Sequence, residues 1–182
     1  MKKLFTIILL CIVTVASAQE YQVQGNSIVF SKVFENTGKS IEKTHKVLEA
    51  LFAEIYNDVN STEKLNQQDH FIYKGEFKKT GLYQLGCWTI DFPYTLDVAI
   101  KENRVRVQII VSQGKYSPLC ATKYSSSYYT IVEAAPFEVS KKNKFIKKES
   151  ENSFNVLQRR CKELIHTIDN GIYNSEVQNE DW

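Results

Sequence analysis

The sequence has few of the residues that carry enzyme chemistry, and those it has are scattered. Its 182 residues include three histidines and four cysteines. No histidine lies at metal-ligand spacing from another ligand, and no two cysteines form a C-x-x-C pair. Motifs for a nucleophile elbow, a phosphate-binding glycine loop, a zinc protease helix or a calcium loop are also missing. We therefore predict no catalytic residue, no cofactor and no metal. The histidines concerned are His45, His70 and His166.

Only one long apolar run is present, and it lies at the amino terminus. Lys2 and Lys3 precede the run Leu4 to Val15, and Ala16-Ser17-Ala18 follows it. The run is shorter than the ~20 residues that span a bilayer, and the A-x-A ending has the small side chains that signal peptidase requires. We predict a signal peptide over residues 1–18 and a mature chain that begins at Gln19. The protein is then exported to the periplasm or the medium, soluble and without a transmembrane segment.

Removal of the leader also removes the excess of positive charge. The full sequence has 23 basic and 21 acidic residues, and the leader holds two lysines and no acidic residue. The mature chain is therefore neutral by formal charge. A neutral chain lacks the basic excess typical of proteins that bind nucleic acid or an anionic membrane. We predict no nucleic-acid partner.

Three cysteines remain after cleavage, because Cys11 lies in the leader. An odd number of thiols cannot all pair within one chain. Cys161 falls on the apolar stripe of a predicted helix, which favours a buried and inert thiol. Export permits one disulfide between Cys87 and Cys120, and free or buried thiols are the alternative.

The apolar periodicity predicts two helices and several strands. Apolar residues repeat at three and four positions after Ser40, a suitable N-cap, as far as Val59, and again from Ser150 to Ile172. Two-residue alternation predicts strands, and polar composition predicts the connections between them. The strands are expected at 27–34, 70–77, 88–100 and 104–111, with a strand-like segment at 128–139. The connections are expected at 57–68, at a glycine turn over 78–81, at 113–127 and at a solvated lysine-rich linker over 141–149.

The segment from Trp88 to Val111 predicts a β-hairpin with a defined register. A two-residue turn at Glu102 and Asn103 places apolar residues opposite one another on a single face, and a slip by one residue would oppose valines to charged residues. The odd-numbered residues from Thr89 onward are expected in solvent, and Pro93 is expected at an edge or a bulge. The predicted pairs are Ile100 with Val105, Val98 with Val107, Leu96 with Ile109, and Tyr94 with Val111.

The order of elements predicts an α+β domain with a curved antiparallel sheet and both helices packed on one face. The domain is expected over residues 19–173, followed by a polar tail at 174–182.

The same segments resemble a known family. The strand Ile28 to Phe34, the helix after Ser40, the polar connection and the Tyr94 to Ile110 hairpin with its Lys101 to Val107 segment are similar to domain of unknown function family 4468. The resemblance covers residues 27–112 and implies exported bacterial proteins with a TATA-binding-protein-like fold. It implies no activity and no site residues, and such a fold does not by itself imply DNA binding.

Two segments have a composition suited to binding. One is an aromatic-rich loop, whose rings are expected either to contact a sugar or a protein partner or to cap the end of the sheet. The other is the lysine-rich segment, which either touches an anionic surface or forms the solvated linker. The loop residues are Tyr116, Tyr124, Tyr128 and Tyr129, and the lysines are Lys141, Lys142, Lys144, Lys147 and Lys148.

These features favour a non-enzymatic, exported binding or interaction module of the cell envelope. In that hypothesis, the exposed face or the loops of the sheet engage an envelope protein or a small ligand. The alternative is an envelope hydrolase whose site is assembled from residues distant in sequence. A purely structural envelope component is a third hypothesis.

Overall fold

The computed structural model describes residues 21–56, 62–83, 88–119, 126–130 and 144–174, and the predicted leader lies outside them. These residues form eight strands and two helices. The strands are β1 (Gln22–Gln24), β2 (Ser27–Glu35), β3 (Thr62–Gln67), β4 (His70–Tyr83), β5 (Trp88–Lys101), β6 (Arg104–Val111), β7 (Gln113–Pro118) and β8 (Ser127–Thr130). The helices are α1 (Ile41–Ile55) and α2 (Lys144–Asn174).

All eight strands belong to one antiparallel curved sheet. The main path runs β1-β2-β6-β5-β4-β3, while β7 pairs with β5 and with β8. The long central strand β5 therefore has β4 along one side and two shorter strands along the other. Its second half pairs with β6 and its first half with β7. The predicted α+β class is confirmed.

The hairpin has the predicted register in three of the four predicted pairs, and the fourth, Tyr94 with Val111, lies beyond the last β5–β6 pair, Thr95 with Ile110. Val98 lies opposite Val107, with Ile100 opposite Val105 and Leu96 opposite Ile109. The turn residue Asn103 has a φ of 55°, a left-handed conformation that asparagine tolerates better than most residues and that tight turns use. The paired apolar side chains are almost fully buried. Side-chain pattern and turn geometry thus select the same register.

The predicted bulge near Pro93 is confirmed. The register of β5 against β6 and β7 moves by one residue between the pair Thr95–Ile110 and the pair Asp91–Lys115, whereas against β4 Pro93 stays in register opposite Glu76. Pro93 lies inside this interval. Because proline has no backbone N–H, a break in the ladder removes the need for a donor at that position.

Both helices pack on the same face of the sheet. In α1 the Ser40 hydroxyl accepts a hydrogen bond from the Lys43 backbone N–H at 3.3 Å, which confirms the predicted N-cap. Leu48 and Phe52 of α1 are fully buried in the same core as the even-numbered residues of β5. The buried stripe of α2 joins this core and confirms the predicted thiol burial; it comprises Phe154, Leu157, Cys161, Ile168 and Ile172.

Four predicted connections are wrong in part. Two of them contain strands, β3 within 57–68 and β7 within 113–127. Both strands are polar, and their backbones pair with a neighbour without presenting a row of apolar side chains to the core. The turn predicted around Gly81 is instead part of β4, with a register shift between Phe77 and Gly81. Helix α2 begins at Lys144, so the part of the lysine-rich segment within it is helical.

A partly buried tyrosine pair is expected to make the fold sensitive to alkaline pH. Burial raises the pKa of Tyr56, and burial likewise raises the pKa of Tyr94 above the ordinary value of 10.0. The two hydroxyl oxygens are 3.3 Å apart. Burial also raises the pKa of the Cys161 thiol. In each case the folded chain holds its proton at a pH where the unfolded chain releases it, so stability is present below the unfolded pKa and is lost above it.

We expect the free energy of unfolding to fall from about pH 9 to pH 11, by at most about 1.4 kcal/mol per pH unit for each group. Urea denaturation at a series of pH values measures this slope. The double variant Tyr56→Phe/Tyr94→Phe should have a shallower slope above pH 10. Equal slopes for the two proteins would show that these phenols do not control the alkaline limit.

Candidate functional site

The sheet has a second face, opposite the helices, on which side chains from four strands form regular rows. The pairing aligns three rows across the sheet. The rows are Lys101, Arg104 and Glu35; then His70, Ala99, Arg106 and Val33; then Ile72, Asp97, Gln108 and Ser31. We call the surface formed by these three rows the open face.

The first two rows enclose a shallow concavity of about 340 Å³. Ala99 and Val33 contribute its apolar surface, and Val33 is 46% exposed. Ala99 is the smallest side chain of its row, flanked by His70 and Arg106, so it leaves a depression in the sheet surface. The remaining lining residues are Lys101, Arg104 and Arg106. The concavity therefore combines an apolar surface with three cationic side chains.

Two carboxylates lie next to these cations. Arg104 contacts Glu35 with 3.1 Å between Nη2 and Oε1, and both side chains are more than half exposed. Arg106 Nη2 is 3.8 Å from Asp97 Oδ1, which is outside hydrogen-bond distance. His70 Nε2 lies 3.4 Å from Asp97 Oδ2. Among the described residues, neither His70 Nε2 nor Asp97 Oδ1 has a hydrogen-bond partner, although both atoms are buried.

At the start of β5, the side of the sheet opposite the helices is covered. The prediction that the odd-numbered residues lie in solvent is therefore wrong for this part of the strand. Thr89 and Asp91 are 3% and 5% exposed, although odd-numbered residues were expected in solvent. Asp91 accepts hydrogen bonds from the Lys79 backbone N–H and the Ser117 hydroxyl, each at 2.7 Å. The alternation rule fails here because strand β7 and the bulged part of β4 supply polar partners for this carboxylate.

Asp91 is expected to be a structural residue of this polar cluster. Asp91→Ala leaves the Lys79 N–H and the Ser117 hydroxyl without an acceptor, so we expect a loss of about 2–3 kcal/mol in the free energy of unfolding. Chemical denaturation measures the loss. Asp91→Asn keeps one acceptor oxygen and should lose less. The exposed Asp69 provides the matched control, and an equal effect of Asp69→Ala would contradict the assignment.

The tyrosines predicted to contact a ligand lie mainly in strands. Tyr116 is in β7, opposite Ile90 of β5, and it packs half-buried against the core. This position fits the alternative in which the ring covers the sheet. Tyr128 and Tyr129 belong to β8, opposite Lys115 and Gly114 of β7, and Tyr124 lies outside the described residues. Ligand contact by these four residues stays a prediction.

The other candidate residues are separated in the fold. His45 stacks on Phe71 with 4.7 Å between ring centroids, and its Nε2 is 2.9 Å from Asn66 Oδ1. His166 lies on α2 beside Asn170, and α2 packs on the face of the sheet opposite the open face. Cys87 and Cys120 lie outside the described residues, so their disulfide stays a prediction. Within the described ranges, no three His, Cys, Asp or Glu residues are grouped as metal ligands.

The cationic concavity was missed by the sequence reasoning. From the sequence, Lys101, Arg104 and Arg106 belong only to the polar side of the predicted hairpin. The available signal was the position of Ala99, which the hairpin register places opposite Arg106 and which lies between Asp97 and Lys101 on the same face of β5. Val33 comes from strand β2, which ends 53 residues before the hairpin begins (Glu35 to Trp88), and only the β2–β6 pairing brings it to the same place.

Comparison with solved structures identifies the fold. The chain matches a TBP-like protein from Parabacteroides distasonis with a TM-score of 0.65 and 13% identity, over 85% of this chain and 98% of the other. The fold is TBP-like. A DUF4468 family protein from Bacteroides ovatus also matches this chain, with a TM-score of 0.64 and 11% identity, over 88% of this chain and 95% of the other. The resemblance predicted from the hairpin and the first helix is confirmed in the fold.

The comparisons carry no activity over to this chain. No family model and no curated protein matches its sequence. At these low identities, the TBP-like neighbours establish the fold alone. Within the part of the chain that the structure describes, neither helix is long and apolar enough to cross a bilayer.

Proposed function

We propose that this protein is a non-enzymatic binding module of the cell envelope and that it engages its partner or ligand through the open face. One observation carries the proposal. The two helices pack together on the opposite face, and the open face presents a row-ordered surface with a cationic concavity between Val33 and Ala99. A rigid antiparallel sheet fixes the positions of these side chains, which is what a recognition surface needs.

Location in the envelope is supported by the amino-terminal sequence. Residues 1–18 have the charged start, the short apolar run and the A-x-A ending of a cleaved leader. Protein purified from the periplasm or the medium of its host cells should begin at Gln19, as measured by intact mass. Recovery of the uncleaved chain from the cytoplasm would contradict export.

Site-specific photocross-linking tests the binding face. A photoreactive residue is placed at Val33 or Gln108 on the open face, and at Lys43 on the exposed side of α1 as the control. In intact host cells, we expect discrete adducts from the first two positions and none from the third. Adding Arg104→Glu should reduce the adducts from the open face, because it reverses a charge on that face.

Two results would contradict the assignment of this face. One is equal labelling from the helix side and the open face, which would indicate non-specific contact. The other is labelling that is unaffected by Arg104→Glu while a charge reversal at Lys43 abolishes it.

A further inference from the structure

The concavity of the open face has the chemistry of a site for a small anionic ligand. This inference deepens the proposed function, since it names the ligand class for the same face. The concavity has three cationic lining residues and no acidic one. Its volume of about 340 Å³ is at the lower end of the range for small-molecule sites. It can therefore hold a short ligand in full.

Arg106 is the cation best placed to hold an anion. Its side chain is 50% exposed, and its nearest carboxylate oxygen, on Asp97, is 3.8 Å away. A guanidinium has five N–H donors, and the described residues provide none of them with a hydrogen bond at standard distance. A carboxylate could therefore bind Arg106 through two parallel hydrogen bonds. Lys101 lies in the adjacent row and adds a second positive charge at the rim.

The local charge favours an anion with a single negative charge. Along the aligned rows, Lys101, Arg104 and Arg106 provide three positive charges, while Glu35 and Asp97 provide two negative charges; Glu102, at the hairpin turn, lies outside these rows and lines the neighbouring cavity. One monoanion neutralises the remainder, whereas a phosphate dianion leaves excess negative charge beside Glu35. The apolar surface of Val33 and Ala99 gains from contact with a hydrocarbon group.

We propose that the concavity formed by Val33, Ala99, Lys101, Arg104 and Arg106 binds a small monocarboxylic acid with a short apolar chain. The carboxylate pairs with Arg106 and Lys101, and the chain lies on Val33 and Ala99.

NMR titration of the isotope-labelled protein with hexanoate tests the proposal. We expect saturable shifts of the backbone amides of Val33, Ala99 and Arg106. The compound 1-hexanol has the chain without the charge, and inorganic phosphate has charge without the chain, so both should bind at least about tenfold more weakly. Equal binding of either compound would overturn the proposal. Binding of a peptide C-terminus, such as acetyl-Ala-Val, in place of hexanoate would also overturn it.

Three variants separate the contributions to binding. Arg106→Gln should weaken hexanoate binding at least about tenfold, because it removes a charge-assisted pair. Ala99→Leu should abolish binding by filling the depression. Lys74→Gln, an exposed lysine outside the concavity, is the matched control and should change the affinity less than twofold. An unchanged affinity in Arg106→Gln, with the fold intact by its amide spectrum, would overturn the proposal.

The result is separable from the test of the binding face. If hexanoate fails to bind while photocross-links from Val33 and Gln108 persist, the ligand class is wrong and the binding face stands. If hexanoate binds and no adducts form, the cavity is a small-molecule site and the partner is not a protein.

Discussion

Leu157→Asp is expected to unfold most of the protein at room temperature. Leu157 is 0% exposed and belongs to the α2 stripe that packs on the sheet. An aspartate there either keeps its charge without a partner in the core or takes up a proton to avoid ionisation, and both outcomes cost free energy. We expect a loss of at least about 4 kcal/mol, which is a large part of the stability of an ordinary domain. Circular dichroism and urea denaturation measure the loss.

Two companion variants make the Leu157 result interpretable. Asn155→Asp adds the same charge at an exposed position two residues away on α2, and it should change stability by less than about 0.5 kcal/mol. Leu157→Met keeps the volume without the charge and should lose less than about 1.5 kcal/mol. If Asn155→Asp and Leu157→Asp had equal melting temperatures, the position of the stripe would be wrong.

The parts of the fold that the sequence predicts well are those in which side-chain pattern and local geometry agree. Val98 and Val107 are placed opposite one another by the turn at Asn103 and by the alternation of apolar residues on both strands. Ser40 is similar, because its hydroxyl and the apolar repeat that follows it both indicate the start of α1. Two independent signals at one position left little room for another arrangement.

The strands that were missed lack this agreement. Strand β3 has the sequence TEKLNQ and strand β7 has QGKYSP, and neither shows clear apolar alternation. They pair with the neighbouring strands β4 and β5, which are long enough to hold a further strand. Backbone hydrogen bonds stabilise this pairing, and these bonds are the same for all residues other than proline. Composition therefore could not identify them.

The candidate site was hidden for a different reason. Each of its cations is common on the polar side of a hairpin, where solvation is the usual explanation. Only the alignment of β2, β6 and β5 brings Val33, Arg106 and Ala99 into one row. A concavity that depends on three strands and on one small side chain has no signature along the chain. Such a site can be predicted only when the register of all its strands is known. Here the sequence predicts the register of β5 against β6, and it does not predict that of β2 against β6.

The aromatic cluster between α1 and the sheet leads to the second large expected effect. Phe52 is fully buried, with its ring centroid 5.3 Å from that of Phe71 and 5.1 Å from that of Tyr73. Phe52→Ala removes the ring from between these neighbours and leaves a cavity that the sheet cannot close, since β4 is paired on both sides. We expect a loss of about 3–5 kcal/mol in the free energy of unfolding, measured by urea denaturation.

Glu54→Ala is the matched control for this cavity, because Glu54 is exposed two residues further along the same helix. It should change stability by less than about 0.5 kcal/mol. Phe52→Leu should recover part of the loss, because it refills much of the volume without the ring contacts. If Phe52→Ala lost no more than Glu54→Ala, α1 would not be a core element and the sheet would be held by α2 alone.

Because helix α1 covers the side of β5 opposite Ala99, Phe52→Ala also tests whether hexanoate binding depends on the rigidity of the sheet. Binding retained in the folded fraction would show that the strand pairing alone maintains the open face.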